Sequence, residues 1–267
     1  MLTVIAVPAF RDNYIWLICR GGFAVAVDPG DAGPVESALL HHGLKLAAIV
    51  LTHHHHDHTG GVAALVSVRP GLRVYGPRGE PIAHLTNRVS EGDKIYLDAI
   101  ELELSIIDVP GHTNGHISYF GAGHASAGRQ PLLFCGDTLF CAGCGRLFEG
   151  TARQMQESLA KLAALPGETL VYCGHEYTVA NLEFALAVEP DNRAIHARMA
   201  SARTLRTQAR PTVPSTMDLE LETNPFLRWD VSAVRAAADA VQAGAGDSQV
   251  ATFAAIRAWK DRFRPGP

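Results

Sequence analysis

Residues 52–58 read Thr-His-His-His-His-Asp-His, five imidazoles and a carboxylate placed directly behind the apolar run 46–51. An apolar run of that length bounded by turn-forming residues reads as a buried strand. Imidazoles crowded at its end are poorly solvated and repel when protonated, unless a cation draws them together; neutral imidazole is the commonest metal ligand. A purification tag sits at a terminus, whereas this run is internal and broken by Asp57. A plain histidine tract needs no ligands elsewhere, yet three more candidates follow. Pro110-Gly111-His112-Thr113, Cys135-Gly136-Asp137-Thr138 and Cys173-Gly174-His175-Glu176 each set one His or Asp beside a Gly after an apolar segment. In open α/β architectures reactive groups gather at strand carboxyl ends, where Gly lets the backbone turn and approach closely. Four strand ends are therefore expected to converge on one metal site.

A chain of 267 residues with 47% hydrophobic content can bury a full core, as one large domain or two unequal ones. No apolar run reaches membrane-span length, and Met1-Leu2-Thr3-Val4 lacks the basic start and cleavage site of a signal peptide, so a soluble protein with no membrane partner is expected. Cys19, Cys135, Cys141, Cys144 and Cys173 form an odd, sparse set that suits a reducing cytoplasm. The net charge of −4 argues against a nucleic-acid partner, which usually brings a basic excess.

Short apolar or alternating runs at 4–8, 14–20 and 23–28 predict an antiparallel meander. Helical spacing covers 34–42, stopping at Gly43, and 60–68, directly out of the histidine motif. Strands are expected at 73–75, 94–97, 100–109, 116–120 and 131–136, then a helix at 152–165 and a last strand at 169–173. Beyond His175 the texture turns to long helical patterns at 179–188, 191–208, 231–241 and 249–263. The domain reading is a mixed α/β domain over 1–173 and a small all-α domain over 174–267.

Spacing also suggests how ligands are shared. His53 and His55 are two apart, so in an extended segment they point to one side, while His54 and His56 point away as spectators. Asp57 and His58 fall where the chain turns into the following helix and serve a second ion. Asp137 is the natural bridge, since a carboxylate can bind two cations at the ~3.5–4 Å separation of two-metal hydrolytic sites. His112 and His175 complete the two sets.

Thr-His-x-His-x-Asp-His with His112, Asp137 and His175 in these contexts resembles the metallo-β-lactamase superfamily, which implies a four-layered αβ/βα sandwich and a dinuclear site. Within it, 52–61, 110–119 (PGHTNGHISY), 136–150 (GDTLFCAGCGRLFEG), 171–177 (VYCGHEY) and 223–228 (TNPFLR) are similar to the glyoxalase II, or hydroxyacylglutathione hydrolase, family. The likeness spans nearly the whole chain, the helical part included. It implies hydrolysis of S-D-lactoylglutathione to D-lactate and glutathione by a metal-bound hydroxide, the second step of methylglyoxal detoxification. It also implies one ion on His53, His55 and His112, another on Asp57, His58 and His175, and Asp137 bridging. The ions are expected to be Zn, with Fe and Mn as alternatives for such donors.

A metal-activated water, its pKa lowered from 15.7 to about 7, attacks a thioester without a separate strong base. Asp57 orients it or takes its proton. A thiolate leaves readily, since thiols ionise near pH ~8.5, so no general acid is required. Glutathione carries two carboxylates, and the resemblance places its site at Arg146, Phe148, His175, Tyr177, Arg257 and Lys260. Arg146 stands where many members have Lys, and Phe148 where a Tyr is usual. Losing that phenol removes one hydrogen bond to the peptide, about 0.5–1.5 kcal/mol of binding. Without the resemblance, Arg257 and Lys260 read as solvated helix charges. The chain is expected to act as a monomer.

Cys141-Ala142-Gly143-Cys144 lacks a second Cys pair and reads as a turn, without chemistry. Asp28-Pro29-Gly30 reads as a turn whose carboxylate could brace the histidine loop. His41, His42, His84, His124 and His196 are expected at the surface, and Ser118 and Ser158 have no triad partners. The alternatives are another hydrolase of the superfamily, a persulfide dioxygenase, or a metal-binding protein without turnover. The segment 224–226, the helix carrying Arg257 and Lys260, and the full second ligand set favour the thioester hydrolase.

Overall fold

Three strands open the chain as the expected antiparallel meander: β1 (Thr3–Ala9), β2 (Asn13–Arg20) and β3 (Phe23–Val27). The computed structural model describes residues 1–123 and 130–264, so His124 lies outside the described residues. The chain then winds parallel: α1 (Ala32–His42) leads to β4 (Lys45–Val50), and α2 (His56–Thr59) and α3 (Val62–Ser67) lead to β5 (Arg73–Pro77), beside which β6 (Asn87–Val89) pairs. Asp31 caps α1 by accepting from the Gly33 N–H at 2.9 Å, and Gly43 ends it at φ 63°, a left-handed value that suits Gly.

β2 is buried along nearly its whole length because both its faces are covered. Ile15, Leu17 and Cys19 join Val35 and Leu39 of α1 and Val62 and Leu65 of α3 in one apolar core. The alternate residues face a second sheet: Trp16 meets the Tyr172 ring edge-on at 5.0 Å and donates from Nε1 to the Cys173 carbonyl at 2.9 Å. That sheet holds β7 (Lys94–Leu97), β8 (Leu102–Asp108), β9 (Ile117–Gly121) and β10 (Leu132–Gly136), antiparallel in that order. Tyr119, fully buried, ties it to the end of β4 through a bond from its hydroxyl to the Leu51 carbonyl at 2.9 Å.

The helix predicted over 60–68 runs only over Val62–Ser67, separated from the short α2 before it, and the cause is a long-range contact. The Gly61 N–H donates to Pro29 O at 2.9 Å instead of continuing the helical ladder, and a Cβ on Gly61 would stand 2.6 Å from the backbone of Asp31 and Ala32. The strand expected from residue 100 starts at Leu102, after a 3-10 turn at Asp98–Ile100 and a left-handed Glu101.

The described chain divides into two compact units. Met1–Asp108, Asn114–Gly136 and Tyr172–His175 form the one just described; Val109–Thr113, Asp137–Val171 and the residues from Glu176 form the other. In the second, β11 (Leu139–Phe140) and β12 (Gly143–Cys144) make a hairpin whose turn is Cys141-Ala142, Ala142 lying at φ 55°. The CxxC spacing is therefore a turn, as expected. α4 (Ala152–Ala163) starts at a Thr151/Gln154 capping box, and β13 (Leu170–Cys173) begins in this unit and ends in the other.

The helices α5 (Thr178–Val188), α6 (Arg193–Thr207), α8 (Ser232–Val241) and α9 (Gln249–Arg262) agree with the predicted runs within a few residues. β14 (Ser215–Thr216), on the edge of β13, and α7 (Met217–Thr223) were not foreseen. Leu182, Ala185, Ile195, Met199 and Ala202 from α5 and α6 share a core with Ala142 of the hairpin.

The hairpin is held from behind by a buried polar cluster. Asn224 donates from Nδ2 to Phe140 O at 3.2 Å, Gly143 O at 2.9 Å and Glu220 Oε2 at 3.0 Å. Glu220 also accepts from the Ala142 N–H at 2.8 Å and pairs with Arg198, both side chains being buried.

Candidate active site

In the first unit the histidine motif leaves β4 extended and turns at His55, whose carbonyl accepts the N–H groups of His58 and Thr59 at 3.0 and 3.1 Å. His53 and His55 lie together, Nε2 of the first 3.1 Å from Nδ1 of the second. His56 points to solvent, whereas His54 is half-buried against Glu80.

One turn on, Asp57, His58 and His175 bring their ligand atoms within 4.8 Å of one another. His58 Nε2 lies 3.6 Å and His175 Nε2 3.5 Å from Asp57 Oδ2. Two ligands at ~2.0–2.1 Å in a tetrahedral shell stand about 3.3 Å apart, so these separations suit donors on one ion.

The far side of each ring is braced by a carboxylate: His58 Nδ1 donates to Asp28 Oδ2 at 3.1 Å, and His175 Nδ1 to Asp12 Oδ1 at 2.9 Å. A carboxylate on Nδ1 fixes the proton there and directs the Nε2 lone pair inward, the arrangement common to histidines that hold a metal. By the chemistry of its donors, this set fits a divalent cation.

Asp28 also accepts from the Thr52 N–H and hydroxyl, each at 2.7 Å, which binds the start of the motif to the end of β3. With both oxygens occupied in this way, Asp28 is an orienting group rather than a ligand, although it lies near His53 and His58. Asn13 donates to Asp57 Oδ2 at 2.9 Å. Gly136, at φ 48°, passes so close that a Cβ would stand 2.3 Å from Thr52 Oγ1, which is why the strand end carrying Asp137 begins with Gly.

In the second unit, His112 donates from Nδ1 to the Arg146 carbonyl at 2.9 Å, and its Nε2 lies 3.5 Å from Asp137 Oδ2. These two line a cavity of about 440 Å³ together with Phe140, Arg146, Phe148, Tyr177, Arg257 and Lys260. Phe148 is 62% exposed, its ring edge-on to His112 at 5.2 Å, and Tyr177 packs on Phe140 at 5.2 Å.

Arg257 is buried, bonded to Cys144 O at 3.0 Å and Asp261 Oδ1 at 3.0 Å. Lys260 donates to Ala180 O at 2.9 Å and lies 5.2 Å over the Phe184 ring. Burial, helped by the positive charge of Arg257, pushes Lys260 down to about 8. All the expected substrate residues except His175 line this cavity; His175 belongs to the first unit.

Sequence reasoning named Asp28 as a brace and missed Asp12, Asn13 and Glu80. Asp12 and Asn13 could have been noticed as polar residues directly before the apolar run 14–19; Glu80 carries no local signal. His41, His42, His84 and His196 are exposed, and Ser158 is engaged by the Pro110 carbonyl at 2.8 Å.

Residues 9–175 match the family model of the Metallo-beta-lactamase superfamily, and 176–263 that of the Hydroxyacylglutathione hydrolase C-terminus. Relatives named hydroxyacylglutathione hydrolase include one from Cupriavidus taiwanensis, 53% identical over 99% of this chain and 100% of its own. Another, from Pseudomonas aeruginosa, is 51% identical over 98% and 100%.

Among solved structures, ETHE1 from Myxococcus xanthus superposes with a TM-score of 0.65 over 99% of this chain and 93% of its own, at 23% identity, a likeness of fold. TTHA1623, solved in a di-iron-bound form, superposes with a TM-score of 0.56 at 26% identity over 84% of this chain and 100% of its own. The metallo-β-lactamase fold, mixed sheets with a helical C-terminal part, is thus the fold of this chain. Matched end to end by relatives that share half of its residues, the chain belongs to the hydroxyacylglutathione hydrolase, or glyoxalase II, family of the metallo-β-lactamase superfamily.

Proposed function

We propose that the chain hydrolyses S-D-lactoylglutathione to D-lactate and glutathione. The observation that carries this reading is the cavity in which His112 and Asp137 share walls with Arg146 and Lys260. Residue types that hold metal stand there beside residue types that hold carboxylates, and a glutathione thioester calls for both.

In this reading His53, His55 and His112 would hold one cation and Asp57, His58 and His175 the other, with Asp137 available to both. The braced rings of His58 and His175 and the spacing of their Nε2 atoms from Asp57 support it. Bound divalent cations supply a water acidified to about pKa 7 and polarise the thioester carbonyl. Zn suits these nitrogen and oxygen donors, as do Fe and Mn; the related TTHA1623 is di-iron-bound.

The side chains do the rest. Asp57, its Oδ2 accepting from Asn13, orients the attacking water or takes its proton. Arg146, Tyr177 and Lys260 receive the glutathione carboxylates and amides. Arg257 holds the Cys144 carbonyl and Asp261 at the cavity wall. The leaving thiolate needs no acid.

Residues 1–173 act as the catalytic domain and 174–267 as the substrate-binding domain. In this reading the protein works as a monomer in the cytoplasm, where its five buried cysteines stay unpaired. The full donor set around Asp57, His58 and His175 speaks against a mononuclear dioxygenase. Parallel assays of His53→Ala and Lys260→Ala test the scheme: the first is expected to abolish turnover with loss of metal, the second mainly to raise KM. An active His53→Ala protein would overturn it.

A further inference from the structure

We infer that Glu80, on the loop between β5 and β6, is a positioning residue that sets His53 and His55 by clamping the histidine between them. The inference rests on the reading of those two imidazoles as metal ligands. His54 is not a spectator in this arrangement. Glu80 is only 3% exposed, and its Oε2 accepts from the His54 backbone N–H at 3.2 Å and from the His54 ring through Nδ1. Its other oxygen accepts from the Gly115 N–H at 2.8 Å.

The N–H of His54 belongs to the peptide that follows His53, so holding it fixes the backbone torsion that aims His53. Holding the His54 ring on one side of an extended segment sends its two neighbours to the other. There the ligand nitrogens of His53 and His55 come to 3.1 Å.

The second contact acts on the same ring. Gly115 precedes His116, whose imidazole stacks on His53 with centroids 4.6 Å apart and planes at 18°. A Cβ on Gly115 would stand 2.8 Å from Glu80 Cγ, so this approach requires Gly. Glu80 is itself held through its carbonyl, which accepts from the Ile82 N–H at 2.9 Å and Arg88 Nη1 at 3.1 Å. Burying a carboxylate is costly unless donors replace its water, and the three donors here all lead to the surroundings of His53.

The test compares wild type with Glu80→Ala, Glu80→Gln and His54→Ala. Zn2+ stoichiometry and retention against a chromogenic chelator are measured beside kcat and KM for S-D-lactoylglutathione. Glu80→Ala is expected to release one equivalent of zinc about 10- to 100-fold more readily while keeping the other. Its kcat should fall with the lost ion and recover in excess zinc at unchanged KM.

Glu80→Gln, which still accepts through one oxygen, and His54→Ala, which keeps the backbone contact, should fall in between. Should Glu80→Ala fail to fold, those two carry the test. Retention equal to wild type in all variants overturns the role of Glu80, as does an equal loss of both ions together with lower thermal stability. A wild type that takes up no metal overturns the metal reading and this inference with it; variants that load as tightly as a loading wild type overturn this inference alone.

Discussion

Replacing Asp28 by Asn isolates what its negative charge does for the metal ligands. The backbone there is left-handed, φ 50°, a conformation that Asn adopts at least as readily as Asp, so the fold should tolerate the change. The retained oxygen can still accept from the Thr52 N–H. The new amide nitrogen faces Thr52 Oγ1, which can turn to accept, and His58 Nδ1, which cannot accept while it carries a proton. His58 must then move its proton to Nε2, the atom directed at Asp57, or face a donor with a donor.

The protein thus loses one hydrogen bond to a charged group, about 1.5–3 kcal/mol, or roughly 10- to 150-fold in affinity for the cation proposed on Asp57, His58 and His175. Competition against a chelator of known zinc affinity measures it, with circular dichroism to show that the fold persists. Wild-type affinity in a folded Asp28→Asn protein would refute the claim that Asp28 governs the His58 proton.

Lys260, pushed down to about 8, is cationic below that pH and neutral above it. KM for the anionic thioester should rise on the order of tenfold from pH 7 to 9.5 as that charge is lost, while Lys260→Arg, charged throughout, stays flat; a flat wild-type profile contradicts this. Phe148→Tyr restores a hydroxyl at the cavity wall and should lower KM about 2- to 12-fold at constant kcat, read from steady-state kinetics. Glu220→Ala leaves the buried Arg198 guanidinium without its carboxylate and should cost about 3–5 kcal/mol in urea unfolding; a loss below about 1 kcal/mol would show that water reaches Arg198.

Much of this was legible in sequence because the determinants were local. β7 spans Lys94–Leu97 as expected, and α1 ends at Gly43, which takes the left-handed cap. His53, His55, Asp57 and His58 could be sorted because extended and helical spacing direct side chains differently. What stayed hidden depends on partners far away in the chain. The break at Gly61 comes from Pro29, and α7 was obscured by its acidic run, in which Glu220 is buried only because Arg198 and Asn224 await it. Glu80 looks like any loop carboxylate until the fold sets it beside His54 and Gly115. The proposed substrate residues were reached through family resemblance, since Lys260 alone reads as a solvated charge.

In the proposed scheme, metal ions held by this histidine and carboxylate set make the chain a thioester hydrolase. Stripping the protein with a chelator, then following S-D-lactoylglutathione hydrolysis as zinc is returned in counted equivalents, tests it most directly. Turnover should be negligible without metal and climb to a plateau at two equivalents per chain. Fully metallated protein that leaves the thioester intact, or stripped protein that hydrolyses it at the full rate, would contradict it.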